Sequence, residues 1–232
     1  MDAAADRRHD VVIMGGGLAG LTLALQLRGR HPDIDVLVLE RRAHPVPHAA
    51  HKVGESSVEI GAHYFSRVLG LSQHLDDAQL RKFGFRFFFS EGRRDIDQVT
   101  EIGASRFLST PSYQIDRGIF ENFLGAEAQR RGVTFLDEAI VRRVDPATGE
   151  DGALHRIVAE RHGERLDIAA RWIVDACGRA GVLKRQFALA QDNPHQAHAI
   201  WFRIKDHIRI DEWSDDPAWR AAHPDLTAEE LA

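Results

Sequence analysis

Apolar positions along this chain fall into short blocks. Their spacing switches between a strand rhythm of two and a helix rhythm of three to four, so strands and helices are expected to alternate. A polar leader, residues 1–9, is expected to be disordered. Residues 10–14 form a β-branched apolar block and predict a buried strand. Residues 15–20 make a glycine-rich turn. Residues 18–28 carry apolar side chains at Leu21, Leu23, Leu25 and Leu27 and small ones at Ala19 and Ala24, which predicts a helix that His31-Pro32-Asp33 ends. Residues 35–40 contain Val-Leu-Val-Leu, the continuous apolar run of a central parallel strand.

The rhythm then breaks. Residues 41–54 have no period and hold prolines and histidines, which predicts a long functional loop. Residues 56–69 read as a helix capped by Ser56 or Ser57. A phenylalanine-rich strand is expected over 82–89 and a strand pair over 94–107. Residues 116–131 form an amphipathic helix with Ile119, Phe120, Phe123, Leu124 and Ala128 on one side. A short strand follows at 133–136. Antiparallel strands are expected at 139–145, 154–161 and 165–169, split by Thr148-Gly149 and His162-Gly163. A further buried strand is expected at 171–175 and another at 197–204. The last stretch, 206–232, is acidic, with prolines and tryptophans.

Composition narrows the class. A chain of 232 residues with 44% hydrophobic and 28% charged residues is an ordinary soluble α/β protein with room for a sizeable core. The net charge of −5 and the lack of a basic stripe argue against nucleic acid as a partner. The lone Cys177 excludes an internal disulfide and, by spacing, a cysteine metal site, so no metal is expected. The polar first ten residues predict neither a signal peptide nor a membrane span, and the cytoplasm is the expected compartment.

Gly15, Gly17 and Gly20 satisfy G-x-G-x-x-G between a strand and a helix. Gly15 permits the tight turn, Gly17 lets the backbone approach a pyrophosphate, and Gly20 lets helix and strand pack closely. The opening residues of the helix, Leu18 and Ala19, present N–H groups and a partial positive charge to phosphates. Glu40 stands 20 residues after Gly20, where its carboxylate can accept from ribose hydroxyls, with Arg41 beside it. The motif alone does not separate NAD from FAD. The order of the elements does: about 90 residues separate Glu40 from Val133, and a meander precedes the strand that ends at Asp175. That order resembles the Rossmann-like FAD-binding fold of the aromatic hydroxylase class, with substrate-domain segments inserted. It implies a discontinuous FAD-binding domain over 10–41 and 114–190, and a partial substrate domain over 42–113 and 191–232.

Three further stretches complete a family likeness. They are Val53-Gly54-Glu55-Ser56-Ser57, Tyr113-Gln114-Ile115-Asp116-Arg117, and Asp175 with Gly178. Together with the glycine turn they resemble the flavin-dependent halogenases of the tryptophan halogenase type. The resemblance implies an FAD-dependent oxidoreductase in which reduced FAD and O₂ give a flavin hydroperoxide that oxidises a halide ion. Lys82 would then direct halogenation of a small aromatic substrate, and a separate flavin reductase would supply reduced flavin. Gly54, Glu55, Ser56, Gln114, Arg117, Asp175 and Gly178 would lie along the cofactor.

Each of these residues also has a plainer reading. Lys82 fits a solvated strand start, Arg117 a surface ion pair with Glu121, and Asp175 a helix cap for residues from Ala180 onward. Cys177 fits a small buried filler. Phe85, Phe87, Phe88 and Phe89 either line a substrate site or fill a sheet core. The chain departs from the family at Glu59, where proline is usual. It also lacks the Trp-x-Trp-x-Ile-Pro signature, which Trp201-Phe202-Arg203-Ile204 does not match. A C-terminally truncated chain is therefore expected. The rival functions are an aromatic monooxygenase, a geranylgeranyl-reductase-like flavoprotein, and a non-catalytic nucleotide-binding fragment.

Overall fold

A computed structural model describes residues 7–49, 52, 54–82, 84–103, 109–148, 152–198, 200–202, 204–206 and 208–224. Val53, Phe83, Gly149, Arg203, residues 104–107 of the expected strand pair and residues 1–6 of the expected leader lie outside them.

The apolar block after the leader forms β1 (Arg7–Met14), in which Val12, Ile13 and Met14 are fully buried. It begins at Arg7 and so takes in the last residues of the expected leader. β1 sits mid-sheet between two parallel neighbours, β2 (Val36–Leu39) and β10 (Glu164–Asp175). With β7 (Thr134–Leu136), β8 (Ala139–Asp145) and β9 (His155–Arg161), the order is β7-β2-β1-β10-β9-β8. The α/β, Rossmann-like expectation with a meander therefore holds.

β10 corrects one expectation. The meander's third strand and the strand ending at Asp175 are a single 12-residue strand. Its first part pairs antiparallel with β9 as far as Ala170↔His155, while residues from Ile168 pair parallel with β1. Ala170 is fully buried where both neighbours flank it. Beyond Ala170 the pairing with β9 ends, and Trp172 is 67% exposed rather than buried.

One sheet face packs on α1 (Leu18–Arg30) and α4 (Arg117–Arg130) through Leu21, Leu25, Phe120 and Leu124, and the opposite face holds Val12, Met14, Leu37 and Ile157. Asp116 caps α4, accepting from the N–H groups of Gly118 (3.0 Å) and Ile119 (3.2 Å). Asp116→Ala is expected to cost about 1 kcal/mol, read as a lower urea midpoint at unchanged slope.

The helix expected over 56–69 starts at Glu59 as α2 (Glu59–His63) and continues as a π-helical turn, Tyr64–Val68. Neither serine caps it. Ser57 instead exchanges hydrogen bonds with the Tyr113 backbone, its hydroxyl 2.7 Å from both N and O, and Ser56 bridges Gln114. A further helix, α3 (Ser72–Ala78), was not foreseen. Residues 42–81, expected with the substrate portion, cluster with the sheet, because Ala62, Phe65, Leu69 and Leu75 join the core under α1 and α4.

The chain forms two compact units, one within Met1–Arg81 and Tyr113–Gln191, the other within Lys82–Ser112 and Asp192–Ala232. It leaves the first through β3 (Leu80–Lys82) and returns through β6 (Ser112–Gln114). In the second unit, β4 (Arg86–Phe89) pairs antiparallel with β5 (Thr100–Gly103). The strand expected over 82–89 is thus split, at Gly84, whose φ of +146° no strand residue adopts. The pair expected over 94–107 supplies one strand among the described residues. Helix α6 (Pro217–Ala222) sets Trp219 beside Phe88, and His223 follows it with Nε2 2.6 Å from Glu101. The two ring nitrogens of His223 lie 2.6 Å from Glu101 and 2.8 Å from the Trp219 carbonyl oxygen. No strand forms among the described residues of 197–204; Ile200 and Phe202 are exposed, and a strand needs a paired neighbour.

Candidate functional site

The site is built at the C-terminal ends of β1, β2 and β10, where open α/β sheets gather ligands. Gly15 (φ +115°) takes the turn out of β1, and a Cβ there would lie 2.4 Å from the Ala176 carbonyl oxygen in the loop after β10. A Cβ on Gly20 would lie 1.9 Å from the Gly15 carbonyl oxygen, so helix and turn touch backbone to backbone. Gly16 is a third obligatory glycine that the motif did not count. Its added Cβ would fall 2.7 Å from both Glu40 and Phe135, and the unbroken Gly15-Gly16-Gly17 run was the available signal.

Gly17 differs. As N-cap of α1 it has extended backbone and no side chain of its own to cap the helix, and its added Cβ would meet only Glu121 Oε1, at 3.8 Å. The space over Gly17 and the first turn of α1, at Leu18 and Ala19, is therefore the open face of the turn. Glu40 closes the other side, accepting from Gly16 N–H through Oε2 (2.7 Å) and from Arg42 N–H through Oε1 (2.9 Å). Those two bonds hold the carboxylate at the lip of the turn, and each oxygen keeps a second lone pair for a hydroxyl donor. Arg41 is exposed beside it.

Two segments distant in sequence meet next to this turn. Gly54 (φ +88°), Glu55 and Ser56 run antiparallel to Gln114-Ile115: Ser56 bridges Gln114, and Ile115 N–H donates to the Glu55 carbonyl at 2.6 Å. The buried Glu55 side chain faces the Arg117 N–H at 3.4 Å, and an added Cβ on Gly54 would lie 3.6 Å from the Arg117 guanidinium.

Arg117 does pair with Glu121, its Nε at 3.0 Å, but not on the surface as its plainer reading had it: the Glu121 side chain is 1% exposed. The same carboxylate accepts from Leu18 N–H at 3.3 Å and pairs with the Lys52 ammonium. Sequence reading gave Glu121 and Lys52 no role at the turn. The i,i+4 spacing to Arg117 revealed a pair, but contact with Leu18 across 103 positions is tertiary.

Asp175 acts as the cap foreseen for it. Oδ1 accepts from Cys177 N–H (3.1 Å) and Oδ2 from Leu183 N–H (2.8 Å) at the start of α5 (Val182–Gln186). Gly178 (φ +57°) has nothing within 4 Å of an added Cβ. Cys177 donates to the Met14 carbonyl at 3.2 Å, and its thiol is pushed up to about 12 by burial and then by Asp175. At pH 8 it is expected to react with a disulfide reagent about 1,000-fold more slowly in the native chain than in urea, because the thiolate is the reacting form. A native rate near the unfolded one would contradict this.

In the second unit, the Lys82 ammonium lies 4.0 Å from the centre of the Phe85 ring. Phe85, Phe87 and Phe89 are about half exposed, at 52–54%, and only Phe88 turns in, against Trp219. The phenylalanine cluster is thus not a sheet core. Among the described residues no cluster of His, Cys, Asp and Glu could hold a metal, and no helix is long and apolar enough to cross a membrane.

This geometry suits a dinucleotide. The glycines of the turn carry no side chain to obstruct it, the N-cap of α1 is itself a glycine, and Glu40 is fixed at the lip. Comparison with known proteins agrees. The family model described as FAD binding domain matches residues 8–225. The flavin-dependent halogenase chlA of Dictyostelium discoideum is 25% identical, over 90% of this chain and 38% of that protein. The flavin-dependent halogenase armH5 of Armillaria mellea is 28% identical, over 76% and 34%. The chain thus spans little more than a third of the curated relatives it matches. Among solved structures, the flavin-dependent halogenase CmlS superposes with a TM-score of 0.62 at 26% identity, over 79% of this chain and 32% of that one.

Proposed function

Because this chain belongs to the FAD binding domain family, with FAD as its cofactor, we propose that it holds FAD on the Gly15–Gly20 turn and serves a halogenase-type flavin oxidoreductase. The observation that carries the placement is the open face over Gly17, set between the N-terminus of α1 and the fixed Glu40. Gly17, Leu18 and Ala19 would face the pyrophosphate, and Glu40 with Arg41 the adenosine end. Gly54, Glu55, Ser56, Gln114 and Arg117 would lie along the flavin end, with Gly178 and the Asp175-capped loop opposite. Reduced FAD supplies the electrons with which O₂ is activated. The chain's own residues bind the cofactor, orient it and exclude water from it.

The reaction is read from the likeness to flavin-dependent halogenases, at 25–28% identity. A halide would be oxidised and a small aromatic substrate halogenated, with reduced flavin delivered by a separate reductase. Lys82 is the residue proposed to direct the halogen. The Phe85 ring beside it, with Phe87 and Phe89 half exposed, supplies an apolar face that suits an aromatic substrate.

The test combines FAD, a chemical reductant, O₂, bromide and a panel of electron-rich phenols, analysed by mass spectrometry. Brominated product from the wild type, falling about 100-fold in Lys82→Ala while FAD binding is unchanged, is the expected result; a loss of that size is typical when a group acting only in the transition state is removed. Hydroxylated product made without halide, with Lys82→Ala fully active, would overturn it in favour of a monooxygenase.

A further inference from the structure

We propose that Glu121, a buried acid placed against the nucleotide turn, is a positioning residue that aims two cations, Arg117 and Lys52, at the pyrophosphate; this rests on the FAD reading above. The arrangement looks unfavourable at first. A carboxylate 3.3 Å from the Leu18 N–H occupies the positive end of α1, where a phosphate is expected to bind. By charge alone it should repel the ligand.

The contacts point the other way. Glu121 is 1% exposed, and its Oε1 stands 3.8 Å from an added Cβ on Gly17, so the covered carboxylate borders the Gly17 face in ordinary contact without filling it. Oε1 receives Arg117 and the Leu18 N–H, and Oε2 receives the Lys52 ammonium. The Arg117 and Lys52 side chains are 15% and 26% exposed, so each retains a solvent-facing part beside the site. The acid restrains two long cationic side chains, whose ordering otherwise costs binding energy. Arg117 and Glu121 share α4, Leu18 opens α1, Lys52 comes from the loop before Gly54, and the buried Glu55 carboxylate faces the Arg117 N–H at 3.4 Å.

The test is Glu121→Gln, which keeps the shape and one accepting oxygen while removing the charge and one acceptor. Affinities for FAD, ADP and adenosine are measured by calorimetry on the protein without added reductant or substrate. The positioning role predicts about tenfold weaker FAD and ADP binding, with adenosine, which lacks the pyrophosphate, within about twofold. Lys52→Met, at a partly exposed site that leaves the buried acid in place, is expected to weaken FAD and ADP in the same selective way. If Glu121→Gln binds FAD and ADP equally well or better, simple repulsion governs and the inference fails. Equal weakening of all three ligands in both variants would also overturn it, as the mark of a merely structural role. Wild-type protein that binds neither FAD nor ADP would overturn the FAD reading itself, and this inference with it.

Discussion

Gly20→Ala is expected to lower the stability of the sheet unit by about 3 kcal/mol, near the upper end of overpacking costs. The added methyl would sit 1.9 Å from the Gly15 carbonyl oxygen, and neither group can rotate away because both belong to backbone. Relief requires α1 to lift from β1, which pulls Leu21 and Leu25 out of the core they share with Ile13. A fall in Tm of roughly 6–12 °C is the expected readout for a chain of this size. Gly29→Ala, in the same helix with nothing within 4 Å of an added Cβ, should instead stabilise by up to about 1 kcal/mol. A Gly20→Ala protein melting within 2 °C of wild type would show that the contact between α1 and the turn is not tight.

Gly17→Val is expected to do the reverse, leaving the fold and abolishing binding. The Gly17 backbone is extended, a conformation valine adopts readily, and the added Cβ would meet only Glu121 Oε1, at an ordinary contact distance of 3.8 Å. The loss of glycine at an N-cap limits the stability cost to about 1 kcal/mol. Its methyl groups would stand between the first turn of α1 and the phosphates, so FAD affinity should fall about 100-fold or more. Flavin fluorescence quenching against a thermal melt separates the two effects. Retained FAD affinity in Gly17→Val would displace the pyrophosphate from this face and with it the proposed cofactor placement.

The contrast between these glycines, three residues apart and identical in the motif, divides what was legible in the chain from what was not. Elements whose signal is local were readable. β1, α1, β2 and α4 appear where apolar spacing put them, and the G-x-G-x-x-G turn with Glu40 fell where its spacing required, because the spacing of a strand-turn-helix-strand unit is fixed by backbone geometry. The 54–57 and 113–117 segments were noted as family-like motifs, but their pairing was not foreseen.

What the sequence left open depended on partners. Residues 164–175 read as two strands because Ala169-Ala170-Arg171 interrupts the apolar run, yet they form one, since β9 and β1 support it in turn on opposite edges. Residues 197–204 read as a strand, and none forms among the described residues. Ser56 and Ser57 matched a helix cap and instead bond across to Gln114 and Tyr113. Glu121 matched a surface ion pair and is buried against Leu18, 103 residues away. A local pattern reports what a segment can form alone. Whether a strand finds an edge, a serine finds a backbone partner, or an acid finds two cations depends on segments that only the folded chain brings together.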